Sequence, residues 1–440
     1  MSLRAEIRDT LHLAWPLVGA QVLAMSNVFV DSLFVARLGS GSLAALSMSL
    51  GLLSTVEIVC IGLLSPLSVF VSQEMGAGRP EVVGATLRRG LSFAFALGVA
   101  MAGLTLASGE ALRALGQDLS LIPSARAFLI ALAPGMPAKL GYLALRQLPE
   151  GVSDTRPSVV AAALALLLNA VLDYGLVFGN LGMPRLGLVG SGLATAACQW
   201  LMFGGLLAYV WRNPRYEKFK LGRGEVDDGH SIGQIVRLGL PLGGSLLAEV
   251  GFFSAATFVV GLIGVKAQAS HQIALMAASF MFMMPLGLSF ALAIRVSRAR
   301  GARDAVAVQR AAEAGMLVTL TLQCVTAVVF LVVPGAVVSL YTDDPSLTPL
   351  ATSLVRIAGL FQLFDGIQVA SMGLLRGMLD TRVPFAITVV SYWAVGMPVS
   401  LLLAFALGFG AMGVWYGIVA GLGCAALLLQ WRLWRLLRDT

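Results

Sequence analysis

Residues 11–36, LHLAWPLVGAQVLAMSNVFVDSLFVA, form one long apolar run that carries a single acidic side chain, Asp31. About 20 apolar residues suffice to cross the hydrocarbon core of a bilayer as a helix, so this stretch predicts a transmembrane span. A cleavable leader would have an apolar region of only about 7–15 residues. The run is therefore expected to persist as a first helix, although Arg4 and Arg8 precede it. The rest of the chain repeats the pattern: of 440 residues 58% are hydrophobic and 12% charged, with a mean hydropathy of +0.86. A soluble globular chain carries about 25% charged residues to coat its surface, which excludes that class here.

Further apolar runs of spanning length lie near 46–72, 90–112, 123–147, 158–180 and 187–211, and then near 233–262, 269–295, 313–340, 350–375, 384–408 and 411–434. They predict an all-α integral membrane protein with about twelve transmembrane helices in two pseudo-symmetric six-helix lobes. The N-lobe would cover 1–211, a linker 212–232, and the C-lobe 233–440. Positive charge gathers on alternate connections: Arg79, Arg88 and Arg89, then Arg146 and Arg156, the linker's Arg212, Arg215, Lys218 and Lys220, then Arg298, Arg300, Arg303 and Arg310, and finally Arg376 and Arg382. Positive loops stay in the cytoplasm, so a multi-pass protein of a bacterial-type inner (plasma) membrane with both termini and the linker cytoplasmic is expected. The net charge of +7 then reports topology, and no nucleic-acid partner is expected.

The halves repeat one another. Pro16, Gly39, Gly62-Leu63 and Val71-Ser72 recur as Pro241, Gly264, Gly287-Leu288 and Val296-Ser297 at an offset of 225. Gly151 and Asp154-Thr155-Arg156 recur as Gly377 and Asp380-Thr381-Arg382 at 226. Such parallel repeats are related by an axis along the membrane normal, with a substrate site expected at their interface.

An ionisable side chain within a bilayer costs a few kcal/mol or more unless it meets a partner or a water-filled cavity, which makes each one a functional candidate. Five acids within the spans stand out: Asp31, Glu57, Asp173, Glu249 and Asp365. Asn27 with Asp31, and Asn169 with Asp173, are spaced i, i+4 and share a helical face. Each pair offers hard oxygen ligands for a small cation such as Na⁺, or a site for a shared proton. Gln362 and Gln368 flank Asp365, and Glu249 precedes Phe252 and Phe253. Glu57 is the weakest of the five, because its own helix offers no opposite charge at helical spacing. Lys139 lies near a helix end and can snorkel. His271-Gln272 reads first as a hydrogen-bonding pair between helices. Asn27, Gln272, Met281, Met284 and Tyr392 are the weaker candidates for a substrate cavity, the methionines because their flexible thioethers adapt to varied cargo. The four cysteines, Cys60, Cys198, Cys324 and Cys424, read as buried thiols. No Walker A, HExxH or GxSxG string occurs, and there are only three histidines, His12, His230 and His271. No enzyme and no cofactor are expected; the energy would come from an ion gradient.

The pattern Pro16…Phe29-Val30-Asp31-Ser32, the string Leu168-Asn169…Asp173-Tyr174-Gly175, the stretch Gly187-Leu188-Val189-Gly190…Ala194-Thr195, then His271-Gln272-Ile273-Ala274 and Ser391-Tyr392-Trp393 resemble the MATE (multidrug and toxin extrusion) family, over nearly the whole chain. Glu249, Asp365 and the Ser-Tyr-Trp string look NorM-like, whereas Asp173 beside Asn169 looks DinF-like. The resemblance implies secondary active multidrug efflux, exchanging cationic or amphipathic drugs for H⁺ or Na⁺ by alternating access, by a monomer in the lipid bilayer. It implies that Asp31, Asn169, Asp173 and Thr195 form an N-lobe cation or proton site, that Pro16 is the bend responding to it, and that Glu249 and Asp365 are C-lobe cation-binding carboxylates. The alternative is a lipid-linked oligosaccharide flippase of related architecture. Holding a pyrophosphate would call for cations in the cleft, and Lys139 is the single deep one against several acids.

Overall fold

The computed structural model describes residues 3–114, 118–222 and 229–438. Among them are twelve helices long and apolar enough to cross a membrane. In chain order these are α1 (Leu3–Ala36), α2 (Ser40–Gly76), α3 (Pro80–Ser108), α4 (Ile122–Gly151), α5 (Arg156–Phe178), α6 (Leu188–Arg212), α7 (Ile232–Ile263), α8 (Val265–Gly301), α9 (Ala305–Val332), α10 (Thr348–Gly377), α11 (Arg382–Ala406) and α12 (Gly410–Arg438). No strand occurs among the described residues. The turns before α2 and α8 are made by Gly39 and Gly264 at φ 110° and 146°, backbone angles that favour glycine. The duplication thus reaches the turn chemistry. The expectation of buried thiols holds for Cys60 and Cys198, whereas Cys324 is exposed on α9 and Cys424 is partly exposed on α12.

Two compact units result, Gly19–Gly243 and Met1–Val18 with Gly244–Thr440. They are drawn differently from the segments 1–211 and 233–440: the start of α1 belongs with the C-terminal helices, and the start of α7 with the N-terminal ones. Both boundaries fall two residues after an in-helix proline, Pro16 or Pro241, at the same offset of 225. Glycine explains the packing. A Cβ on Gly287 would overlap the backbone of Val18, and a Cβ on Gly62 that of Gly243. These two contacts, one in each unit, are also related by 225.

Each exchanged segment is anchored within its unit. Arg295 on α8 donates to the Glu6 carbonyl (2.7 Å), the Glu6 carboxylate and the Thr10 hydroxyl. Just before α7, His230 stacks on Phe70 (ring centroids 3.9 Å apart) and meets the Glu74 carboxylate at 3.0 Å, while its backbone N–H donates to Thr86. Phe70 and Arg295 are duplicate positions, so the anchor has kept its place and changed its chemistry. The repeated aspartates secure the far ends. Asp154 accepts from the Tyr216 hydroxyl (2.9 Å) and Arg215, and Asp380 accepts from Arg432 (2.7 Å). Burial, then the hydrogen bond to Asp154, pushes the Tyr216 phenol up, so it stays protonated and keeps donating.

Gly62→Ala and Gly287→Ala should each destabilise the protein by about 1–3 kcal/mol, since backbone must move. Gly51→Ala, where a Cβ meets nothing within 4 Å, should stabilise by about 0.5–1 kcal/mol through helix propensity. Thermal unfolding in detergent checks both signs; a neutral Gly62→Ala would disprove the tight crossing.

Candidate functional site

In the unit Gly19–Gly243, α1, α5 and α6 supply the first cluster. Gly190 lets α6 approach α5 closely, since a Cβ there would strike the Leu176 carbonyl. Ser191, Thr195 and Cys198, at i, i+4 and i+7 of α6, therefore run alongside Asn169 and Asp173 of α5, both fully buried. Asp31 of α1 faces Asp173 and Asn169; Ser191 stands beside Asp173, and Cys198 beside Asn169. No hydrogen bond of acceptable geometry reaches either oxygen of Asp173, either amide atom of Asn169, Asp31 Oδ1 or Asn27 Oδ1. Thr195 spends its hydroxyl on the Ser191 carbonyl (3.0 Å). Two neighbouring carboxylates with unsatisfied oxygens in a buried site call for a compensating positive charge, either a proton or a small cation held by oxygens.

Glu57 is not solitary. Lys139 on α4 meets it at 2.6 Å, a partner supplied by another helix and so invisible to spacing along α2. The same ammonium acts through space on Asp31. Lys139 is therefore tied down inside the unit, where the sequence allowed it to snorkel. Cys198 and Ser191 were also missed as neighbours of the cluster; their 191, 195, 198 spacing with Thr195 was the available signal.

The other unit holds the second cluster. Glu249 of α7 and Asp365 of α10 line a cavity of about 280 Å³ together with Phe253, Thr257, Phe282 and Phe361. Gln368 donates to Glu249 Oε2 at 3.5 Å, while Asp365 Oδ2 and the Tyr392 hydroxyl are buried without a hydrogen-bond partner. The Tyr392 ring stacks on Phe252, with centroids 5.1 Å apart and planes 3° from parallel. Gln362 does other work, accepting from Gln323 at 3.1 Å. On α8 it is Phe282 that faces the cavity; Met281 packs against the core around Phe252, Met284 is half-buried and Gln272 is exposed. His271 accepts from the Trp415 indole at Nδ1 (3.0 Å) and so carries its proton on Nε2, 2.9 Å from the Thr257 hydroxyl oxygen. That bonding fixes a neutral, structural ring. Among the described residues, no three or more His, Cys, Asp or Glu side chains gather into a metal site.

The sequence profile of a family described as MatE matches residues 16–175 and 241–402. The chain is 37% identical over 429 residues to a probable multidrug resistance protein NorM of Xanthomonas campestris pv. campestris, covering 97% of this chain and 94% of that one. It is 35% identical over 443 residues to a protein of the same description from Pseudomonas putida, covering 98% and 96%. Similar solved structures include the eukaryotic MATE transporter AtDTX14 (TM-score 0.85, 22% identity, 99% of each chain) and a MATE in the bent conformation (TM-score 0.90, 19% identity, 99% of this chain and 97% of that one).

Because His271 is held neutral by its two partners, His271→Asn should leave the pH dependence of activity in place. It should lower stability by about 1–3 kcal/mol, the cost of leaving the Trp415 indole unpaired. A pH–activity curve beside a thermal unfolding curve separates the two roles.

Proposed function

The chain belongs to the MatE family, and from that premise we propose that it is a multidrug efflux transporter exchanging cationic or amphipathic drugs for H⁺ or Na⁺ by alternating access. The observation that carries the reading is half-buried Asp31 beside fully buried Asp173, with three inward carboxylate oxygens that no hydrogen bond of acceptable geometry reaches. A cation or proton taken up there removes net charge from the pair, and the helices bearing it repack. Drug affinity and ion affinity are then linked reciprocally, as any two ligands that favour different conformations must be. Asp31 lies on α1 beyond Pro16, whose missing N–H leaves a gap in the helical ladder where bending is cheapest. Glu249 and Asp365 present carboxyl groups to a cavity walled by phenylalanines, a lining suited to an amphipathic cation. A pyrophosphate-bearing lipid would instead need cations in that cavity, and its lining contains none. The alternate basic connections support a multi-pass inner-membrane protein with both termini in the cytoplasm.

Efflux of a fluorescent organic cation from proteoliposomes, with sodium and pH gradients imposed separately, identifies the coupling ion. Asp31→Asn should reach the membrane at normal levels and lose all gradient-driven efflux; retained coupling would sink the assignment. Glu249→Gln should raise the half-saturating drug concentration about tenfold, equivalent to about 1.4 kcal/mol.

A further inference from the structure

The unit Gly19–Gly243 contains an ion pair that the exchange reading leaves unused. Lys139 Nζ lies 2.6 Å from Glu57 Oε1, and both side chains are largely buried, at 28% and 25% exposed. Both residues lie inside spans, where a pair is retained only if something offsets the cost of desolvating it. The duplication shows how particular the arrangement is. Helices α4 and α10 are related by an offset of 226 at both ends, and α2 and α8 by 225. Lys139 therefore occupies the position of Asp365, and Glu57 that of Phe282. In one unit those positions line an open cavity, and in the other they close onto each other as an ion pair. Charge has been reversed at one position and introduced at the other.

Two groups feel this pair directly, Cys60 from α2 and Asp31 from α1, and Asp31 in turn faces Asn169 and Asp173 of α5. Gly135, one turn before Lys139 on α4, lies directly against Ala196 of α6, the neighbour of Thr195, so this stretch of α4 runs beside the cluster and the ammonium acts on Asp31 as a nearby charge.

We propose that Lys139 is a tethered counter-cation of the Asp31–Asp173 site, shared with Glu57, and that Glu57 sets how much of its charge the site feels. This rests on the reading that Asp31 and Asp173 bind the coupling cation. With the site empty, the ammonium offsets part of the bare carboxylate charge and makes that state less costly. When a proton or Na⁺ enters, repulsion from the newcomer leaves Lys139 to Glu57. The cation is thus held less tightly than two unscreened carboxylates would hold it, which lets it leave again at the end of a cycle.

The test is the concentration of coupling ion giving half-maximal efflux in proteoliposomes of purified full-length protein. Lys139→Gln removes the competing charge and should lower that concentration about tenfold; Glu57→Gln releases the full charge onto Asp31 and should raise it about tenfold. The double variant E57Q/K139Q should return to within about threefold of the unsubstituted protein, and K139R, which keeps the charge, should barely move it. A merely structural pair would change protein level or maximal rate without shifts of opposite sign, so shifts of the same sign, or none, overturn the proposal. Should K139Q fail to accumulate, the upward shift of E57Q against an unmoved K139R carries the test, and its absence is equally fatal. Coupling that survives Asp31→Asn overturns the reading beneath. Coupling lost in Asp31→Asn while E57Q and K139Q leave the concentration unmoved overturns this inference alone.

Discussion

A charge inside a bilayer must be compensated, because hydrocarbon solvates it so poorly that an unpaired ionised group costs several kcal/mol. The buried polar side chains of this protein sort themselves by how they meet that demand. Glu150 is held by Arg146 at 3.1 Å and by the Ser158 hydroxyl at 3.0 Å, Glu6 by Arg295, and Glu57 by Lys139. Those acids are complete within the protein. Asp31, Asp173 and Asp365 keep buried oxygens that nothing satisfies. The distinction between completed and uncompleted carboxylates separates scaffold from site more sharply than the mere presence of an acid in a span.

Duplication accounts for the shared scaffold, and the two candidate sites lie where the halves have diverged. The close glycine contacts, the φ-positive glycines before α2 and α8 and the in-helix prolines all recur at one offset, because they serve backbone geometry that both units share. Side chains facing the polar interior recur far less. Arg295 answers to Phe70, Asp365 to Lys139 and Phe282 to Glu57, so one unit has an apolar-walled cavity with two acids where the other has an ion pair beside a carboxylate cluster. A cavity of about 280 Å³ can admit part of an organic cation, whereas two adjacent carboxylates suit a proton or a small metal ion held by oxygens.

How much of this was legible in the sequence depended on whether the signal lay along one helix or between helices. Spans were legible because their length and apolarity are set by the bilayer, and the duplication because its register is nearly gapless. The i, i+4 pairing of Asn169 with Asp173 was legible for the same reason, and the structure brings Asp31 to it. The Lys139–Glu57 pair was not, since its halves come from α4 and α2 and no periodicity connects them. Face assignment on α8 failed differently. In water the apolar face of a helix points inward, but in lipid both faces are apolar, so composition could not tell Phe282, which lines the cavity, from Met281, which packs into the core.

The exchange of the first segments of α1 and α7 gives the prolines their meaning. A proline in mid-helix removes one backbone hydrogen bond and crowds the preceding turn, which is a pure loss of stability wherever the helix serves one rigid body. Here Pro16 stands two residues before α1 passes from one compact unit to the other. On its near side the helix is fastened by Arg295 to Glu6 and by Val18 against Gly287; on its far side it carries Asp31. With one end fastened and Asp31 on the other, the weakened turn between them is where α1 bends at least cost. A straight, unbroken α1 would resist such movement along its whole length; under the exchange mechanism proposed above, the stability lost at Pro16 would let a change of charge at one carboxylate pair become a change of helix shape.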